Sequence, residues 1–496
     1  MTKVSLIFLF IAAVAWVFAD TEVVTASPWN EVERLLFGLI TPDLGFLFST
    51  NNLVALFNTF AFAFCGIAFG IILSIPLALL FEQKWIQYFC ASIRSVHEIF
   101  WAFIFLPIVG LNPVCGILAI AIPYAGIFAK VYAEIIQESD RTASEYLPKQ
   151  VSIISKFAYY LIPSNYISIE NYTSYRFECA LRSSAILGFI GLPTLGFELE
   201  ATFSEGYYSQ ASVLLYAFFL IVGLKKYWLK AVMMPIYCLI SLTYLPLSIQ
   251  SHWQNIVRFF SYDIMPSPIK QALVDGQYQS HLWSITDLGH WFIAISNEGA
   301  LIGIINTIIL TQIVLVGSGI FTICFAPLAM DKLSSPIFRQ IHRGIFVVFR
   351  TIPEYVLAYI FLIILGPSML PAILAITIHN GAILSYLMAN HGDNLKIEFD
   401  TPKQPFLRYI YNILPRTYGQ LLAFLFYRWE VMMRESAILG ILGIYTLGFY
   451  IDSAMEDDKL DRVLVLIILT GVLNILIDQS SNFIRRRFQI TDAPIT

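Results

Sequence analysis

The chain alternates between long apolar runs and short polar segments over its 496 residues. Runs of membrane-spanning length recur, and they predict an all-α polytopic membrane protein with two sets of six helices. The predicted spans cover residues 4–19, 53–81, 98–111, 113–137, 166–192 and 208–224, then 229–249, 300–329, 345–366, 370–390, 418–444 and 462–480. No small-x-small cleavage site follows the first run, so we interpret it as a membrane helix rather than as a signal peptide.

One block of sequence occurs twice. RFECALRSSAILGFIG covers residues 176–191, and RWEVMMRESAILGILG covers residues 428–443. Leu-Ile-Pro ends at Pro163 and Ile-Leu-Pro ends at Pro415, at the same distance upstream of the two copies. A shared offset of this kind is typical of a duplicated unit.

Two further pairs of motifs extend the repeat. Asn58-Thr59 corresponds to Asn306-Thr307, and the segment RSVHE at 94–98 corresponds to RTIPE at 350–354. The repeat therefore predicts two homologous units of about six helices each. These units cover residues 1–226 and 227–496, and we expect them to face each other around one transport path.

The charges between the apolar runs predict an orientation. Basic residues collect on one side of the predicted topology and acidic residues on the other, which places both termini in the cytoplasm. The basic residues are Lys84, Arg94, Lys149, Lys156, Lys225, Lys226, Lys230, Lys332, Arg339, Arg343, Arg485, Arg486 and Arg487. The acidic residues are Asp20, Glu22, Glu31, Glu33, Glu456, Asp457, Asp458 and Asp461. With 58% hydrophobic and 13% charged residues, the chain has more apolar surface than one soluble core could bury.

Several chemistries lack their sequence signatures. The six cysteines are scattered singly, so we expect small buried side chains rather than a metal site. The dipeptide Gly-Lys does not occur, which excludes the usual phosphate-binding loop of an ATPase. Neither a hydrolase motif nor a basic and aromatic surface for nucleic acid is present. We therefore expect no enzymatic activity, no cofactor and no nucleic-acid partner, and any ATP hydrolysis must belong to another subunit.

These motifs together resemble the membrane permease of the phosphonate family of ABC importers, with two permease units fused in one chain. The similar features are the segment WNEVERLLFGLITPD at 29–43, the Arg-Ser-Val-His-Glu motif and its counterpart, Ile378-His379-Asn380-Gly381-Ala382, and the Arg-x-Glu-x-x-x-Arg block before Ala-Ile-Leu-Gly. The resemblance implies two type I importer units that move a small phosphorus oxyanion, with phosphonate favoured, by ATP-driven alternating access. It also implies a multi-pass protein of the bacterial cytoplasmic membrane with surrounding lipid, two copies of an ATP-binding subunit, and a periplasmic or lipid-anchored substrate-binding protein.

Under this resemblance, two cytoplasmic loops would couple the chain to its ATPase, at about 138–165 and 391–417. The closing prolines are present, but Gln150 and Pro402 stand where the family has a glycine. The candidate coupling residues are Lys149, Gln150, Pro163, Lys403, Gln404 and Pro415. An ATPase-independent channel, secondary transporter or membrane scaffold is the alternative, and phosphite, phosphate or another anion is the alternative substrate.

Ionisable side chains within the apolar runs are the candidate transport residues, because such groups are unfavourable in a membrane unless they are paired or face water. Glu178 lies four residues before Arg182, and Glu430 four before Arg434, so each pair lies within ion-pair reach on one helix face. One interpretation is an internal ion pair that braces the helix. The other is that Arg182 and Arg434 donate to a tetrahedral oxyanion. The remaining path candidates are Arg176, Arg428, Asn58 and Asn306.

Arg94 and Arg350 are expected to begin the third helix of each unit, with Glu98 and Glu354 four residues further on. An ion pair at the helix entrance is the favoured interpretation, and a gate is the alternative. His379 has Pro123 as its counterpart, and we interpret it as a packed hydrogen-bonding group.

Overall fold

The computed structural model describes residues 2–25, 27–138, 152–245, 253–271, 273–274, 277–278, 284–396 and 404–488. These residues are helical for most of their length, which confirms the predicted all-α membrane fold. One short antiparallel strand pair, β1 (Leu273–Val274) and β2 (Gln277–Tyr278), interrupts the helices.

The α-helices are numbered in chain order. The first twelve are α1 Thr2–Phe18, α2 Pro28–Ile40, α3 Leu44–Leu47, α4 Thr50–Leu79, α5 Lys84–Ser95, α6 Glu98–Val109, α7 Pro113–Glu138, α8 Ile153–Lys156, α9 Ile162–Ser164, α10 Tyr166–Ile186, α11 Leu195–Ser204 and α12 Tyr208–Gly223. They continue with α13 Lys225–Trp228, α14 Met234–Tyr244, α15 Trp253–Arg258, α16 Ser267–Gln271, α17 Ile285–Ile295, α18 Leu301–Phe325, α19 Pro336–Thr351, α20 Glu354–Leu365, α21 Met369–Asn394, α22 Pro405–Arg408, α23 Leu414–Ile438, α24 Leu447–Glu456 and α25 Leu460–Arg487.

Five helical stretches among the described residues are long and apolar enough to cross a membrane, or up to eight if each bent helix pair is one span. The five stretches are Thr50–Leu79, Pro113–Gln137, Ile285–Ala329, Met369–Asn394 and Leu460–Arg487. They overlap the spans predicted at 53–81, 113–137, 300–329, 370–390 and 462–480. The predicted spans at 4–19 and 208–224 coincide with the shorter apolar helices α1 and α12. The span predicted at 229–249 overlaps α14, which has 11 residues, and its end at 246–249 lies outside the described residues.

The span predicted at 345–366 is wrong as a single helix. Helix α19 ends at Thr351, α20 begins at Glu354, and the two are bent by 93°. Pro353 favours this break, because it lacks an N–H donor and restricts Ile352 to an extended conformation, with ψ at 125°. In the first half, α5 and α6 make a similar bend of 89° at Val96.

The chain forms two compact units. The N/C unit comprises Met1–Arg34 and Pro266–Thr496, and the middle unit comprises Leu35–Met265. Within the N/C unit, α1 packs against α18, and Phe8 contacts the rings of Phe426 and Trp429. Within the middle unit, α14 packs against α4. The compact units therefore divide the chain at other places than the predicted repeat, whose boundary at 226/227 stays a prediction.

Candidate functional site

Asn58 and Thr59 of α4 hold the loop that leads into α11. The Asn58 amide donates to the carbonyl oxygen of Pro193 at 2.8 Å, and the Thr59 hydroxyl accepts from the backbone N–H of Leu195 at 2.8 Å. The Thr59 hydroxyl also donates to the carbonyl of Ala55 at 2.8 Å. Because buried backbone groups need such partners, these two side chains fix the loop on the helix.

Asn306 and Thr307 of α18 make the same contacts in the N/C unit. The Asn306 amide donates to the carbonyl oxygen of Tyr445 at 2.8 Å, and the Thr307 hydroxyl accepts from the N–H of Leu447 at 3.0 Å. The two Asn-Thr motifs thus have matching structural tasks. A direct role of Asn58 and Asn306 in the transport path stays a prediction.

The glycine that ends each Ala-Ile-Leu-Gly motif lies directly against the backbone of the following short helix, α11 or α24. A Cβ atom on Gly188 would lie 2.1 Å from the backbone nitrogen of Phe197, and one on Gly440 would lie 2.0 Å from that of Phe449. No side chain fits in either place, so glycine is required. This part of the repeated block therefore serves packing.

A buried polar network joins α21 and α23 of the N/C unit. The Asn380 amide donates to Oε2 of Glu435 at 2.8 Å, while Nε and Nη2 of Arg428 donate to Oδ1 of Asn380 at 2.8 and 2.5 Å. Nη2 of Arg428 also lies 3.3 Å from Oε1 of Glu435. Arg428 is 9% exposed and Glu435 7%, so each charge depends on the other and on Asn380.

Glu354 and His379 lie beside this network. Nε2 of His379 is 4.0 Å from Oε2 of Glu354, and Nδ1 is 3.2 Å from the carbonyl oxygen of Phe349. The nearest donor atoms of Glu354, His379 and Glu435 all lie within 4.8 Å of one another. Together these residues form the buried polar cluster of the N/C unit, which consists of Glu354, His379, Asn380, Arg428 and Glu435.

The corresponding block of the middle unit has different surroundings. Nε of Arg176 donates to the Tyr172 hydroxyl at 2.7 Å, and its guanidinium carbon lies 5.2 Å from the centroid of that ring. The Glu178 carboxylate pairs with the ammonium of Lys225. Nη2 of Arg182 lies 3.6 Å from Sγ of Cys179. Arg176 thus contacts a phenol, whereas its counterpart Arg428 contacts an amide and a carboxylate.

The repeated arginines of α10 and α23 are partly accessible. Arg182, Glu430 and Arg434 are half-buried, whereas Arg428 is buried. Arg176 is half-buried too, so exposure alone does not single out Arg182 in the first block, and the predicted pairs Glu178–Arg182 and Glu430–Arg434 stay predictions.

The gate candidates lie on both sides of the helix bends. Arg94 and Arg350 lie in the last turns of α5 and α19, whereas Glu98 and Glu354 are the first residues of α6 and α20. The expectation that the arginines begin the third helix is wrong, because the extended residues Val96 and Ile352 end a helix before it. The Arg350 guanidinium carbon lies 4.9 Å from the centroid of the Tyr386 ring, a cation–π contact.

Only part of each predicted coupling loop belongs to the described residues. Lys149, Gln150 and Lys403 lie outside them. Gln404 precedes α22, Pro163 lies in α9 and Pro415 lies in the first turn of α23. Both prolines follow a π-helical turn, at Phe157–Leu161 and Tyr409–Ile413. Coupling through these residues stays a prediction.

The sequence interpretation did not assign Asn380, Glu435, Tyr172, Lys225 or Tyr386 to a site. Asn380 lies in the Ile-His-Asn-Gly-Ala motif, and a polar pair within an apolar helix is a signal that could have found it. Tyr172 lies four residues before Arg176, and Glu435 lies seven residues after Arg428 on the same helix, so these spacings could have found both. Lys225 and Tyr386 become visible only once helices distant in sequence are packed together.

Comparison with known proteins identifies transport permeases. The phosphate-import permease protein PhnE of Mycolicibacterium smegmatis is 23% identical over 508 aligned residues, which cover 95% of this chain and 92% of that protein. The resemblance to phosphonate-family ABC permeases is confirmed. Two putative phosphite transport system permease proteins of Stutzerimonas stutzeri are also similar. HtxE is 30% identical over 131 residues, covering 26% of this chain and 50% of its own, and HtxC is 28% identical over 213 residues, covering 40% and 73%.

No family model and no solved structure matches the chain. The similarity to these permeases therefore rests on the curated relatives, with the apolar helices as independent support for a multi-pass membrane protein. Permeases of this kind are transport components and are not themselves catalytic.

Proposed function

We propose that this chain is the permease subunit of an ABC importer that moves a small phosphorus oxyanion, with phosphonate favoured, into the cytoplasm. The observation that carries the proposal is similarity to a phosphate-import permease along 95% of the chain. The phosphite permeases support the same chemical class of substrate, because phosphate, phosphite and phosphonates are all tetrahedral phosphorus oxyanions.

The tandem organisation belongs to the same proposal. The phosphite permease HtxC matches 40% of this chain with 73% of its own length, as expected if one such protein corresponds to one half of a fused pair. The matching contacts of Asn58 and Asn306, and of Gly188 and Gly440, support two equivalent halves.

Arg182 and Arg434 are the residues that we assign to the anion. Each is half-buried, and a guanidinium can donate two parallel hydrogen bonds to one oxyanion. Arg428 is a weaker candidate, since it is buried and its Nε and Nη2 already donate to Asn380 and Glu435. Energy would come from a separate ATP-binding subunit, and the anion from a separate substrate-binding protein.

The test is co-purification in mild detergent from cells that express the neighbouring transport genes. We expect about two ATPase copies for each chain, one for each coupling loop. A control chain has residues 139–151 and 397–403 replaced by Gly-Ser linkers of equal length; it should remain monodisperse and lose the ATPase. Isolation of the unaltered chain without any ATPase would contradict the proposal and favour an uncoupled channel or transporter. Gln150 and Pro402, which stand in the loops where the family has a glycine, support that alternative.

A further inference from the structure

Three potential metal ligands converge within the buried polar cluster of the N/C unit. Glu354 begins α20, His379 lies in the middle of α21, and Glu435 lies near the end of α23. One ligand atom from each lies within 4.8 Å of the other two, and all three side chains are buried. We propose that these residues bind a divalent transition-metal cation such as Zn²⁺ or Mn²⁺. One imidazole and two carboxylates suit such ions.

The hydrogen bond of His379 leaves Nε2 of its ring available to bind a metal ion. Nδ1 lies 3.2 Å from the carbonyl oxygen of Phe349, and because a carbonyl only accepts, Nδ1 carries the proton. Nε2 then presents a lone pair toward Oε2 of Glu354, 4.0 Å away. Metal-binding histidines commonly donate their other N–H to a carbonyl in this way.

The distance between these two atoms also fits a shared ion. A separation of 4.0 Å is too long for a hydrogen bond. In tetrahedral coordination, two ligand atoms that each bind one zinc ion at about 2.0–2.2 Å lie roughly 3.3–3.6 Å apart. A cation between Nε2 and Oε2 would therefore need only small side-chain movements.

The Glu435 carboxylate is held in a fixed orientation by hydrogen bonds. The Asn380 amide and the Arg428 guanidinium hold its two carboxylate oxygens. Glu354 and Glu435 place two carboxylates in this buried region, and a buried carboxylate is stabilised by a nearby cation.

The middle unit offers a matched comparison, because it has a histidine beside the corresponding glutamate. Nδ1 of His97 accepts the backbone N–H of Ile99 at 3.2 Å, so Nε2 carries the proton and can donate to Oε2 of Glu98 at 3.1 Å. Pro123 and Ser183 occupy the positions that correspond to His379 and Glu435. We therefore place one cation in the chain, in the N/C unit.

The experiment measures metal binding by the full-length chain in detergent. The protein is stripped with a chelator, titrated with Zn²⁺ or Mn²⁺ alone, and analysed by mass spectrometry for bound metal and by chelator competition for affinity. We expect about one ion per chain. His379→Gln should lower the affinity at least tenfold, whereas His97→Gln should leave it unchanged.

Two results would overturn the proposal. The first is the absence of a stoichiometric ion from the unaltered chain, which needs no variant and does not depend on how variants fold. The second is an affinity in His379→Gln equal to that of the unaltered chain, which would place the ion elsewhere. Since transport is not measured, neither result bears on the proposed importer function.

Discussion

Loss of Arg428 should destabilise the N/C unit. Its removal leaves the buried Glu435 carboxylate without its guanidinium, and breaking a buried ion pair typically costs about 3–5 kcal/mol. Arg428→Gln should therefore lower the melting temperature of the purified chain clearly, as measured by tryptophan fluorescence. Arg176→Gln is the matched control with the smaller expected loss, because Arg176 is half-buried and contacts the neutral Tyr172. A larger loss in the control would contradict this account of the cluster.

Arg182 separates the two interpretations of the repeated charges. If Arg182 receives the anion, Arg182→Gln should sharply reduce uptake at equal expression, and adding Glu178→Gln should not restore it. If Arg182 only neutralises Glu178, the double variant should recover transport. Lys225→Gln is the control, because it also removes a cationic partner of Glu178 and should leave most of the uptake intact. Recovery in the double variant would refute substrate contact in this half.

At the scale of helices, the packing of α14 on α4 can be tested with native cysteines. The thiols of Cys65 and Cys238 lie within hydrogen-bonding reach of each other, and both are free. Mild oxidation with copper phenanthroline should join them in a disulfide, detected by peptide mapping without reductant. Cys238→Ser should abolish the cross-linked peptide. Its absence from the oxidised unaltered chain would contradict this packing.

The helices also show which parts of the fold could be predicted from sequence patterns. Apolar length predicted the helices at Thr50–Leu79 and Met369–Asn394, because the requirement of the bilayer acts on each segment separately. It missed the break between Thr351 and Glu354, although Pro353 was a visible signal. Apolar length could not predict the contact of Arg428 with Asn380, because pairing between α21 and α23 depends on how the helices pack.

At the scale of the whole molecule, the compact units combine segments from both predicted repeats. Helix α1 belongs to the N/C unit, and α14 belongs to the middle unit. Neither 1–226 nor 227–496 therefore contains all the helices of one compact unit. If the chain is the fused pair that we propose, covalent fusion keeps the two sets of helices in equal number.

Uptake of a labelled phosphonate tests the central claim most directly. The chain is expressed with its ATP-binding and substrate-binding partners in cells that lack their own phosphorus oxyanion importers, and accumulation of radiolabelled methylphosphonate is measured. We predict that uptake stops when ATP is depleted and continues when the proton gradient is collapsed while ATP is maintained. Unlabelled phosphite or phosphate should reduce the uptake of the labelled compound. Uptake that persists without ATP, or that no phosphorus oxyanion inhibits, would contradict the account.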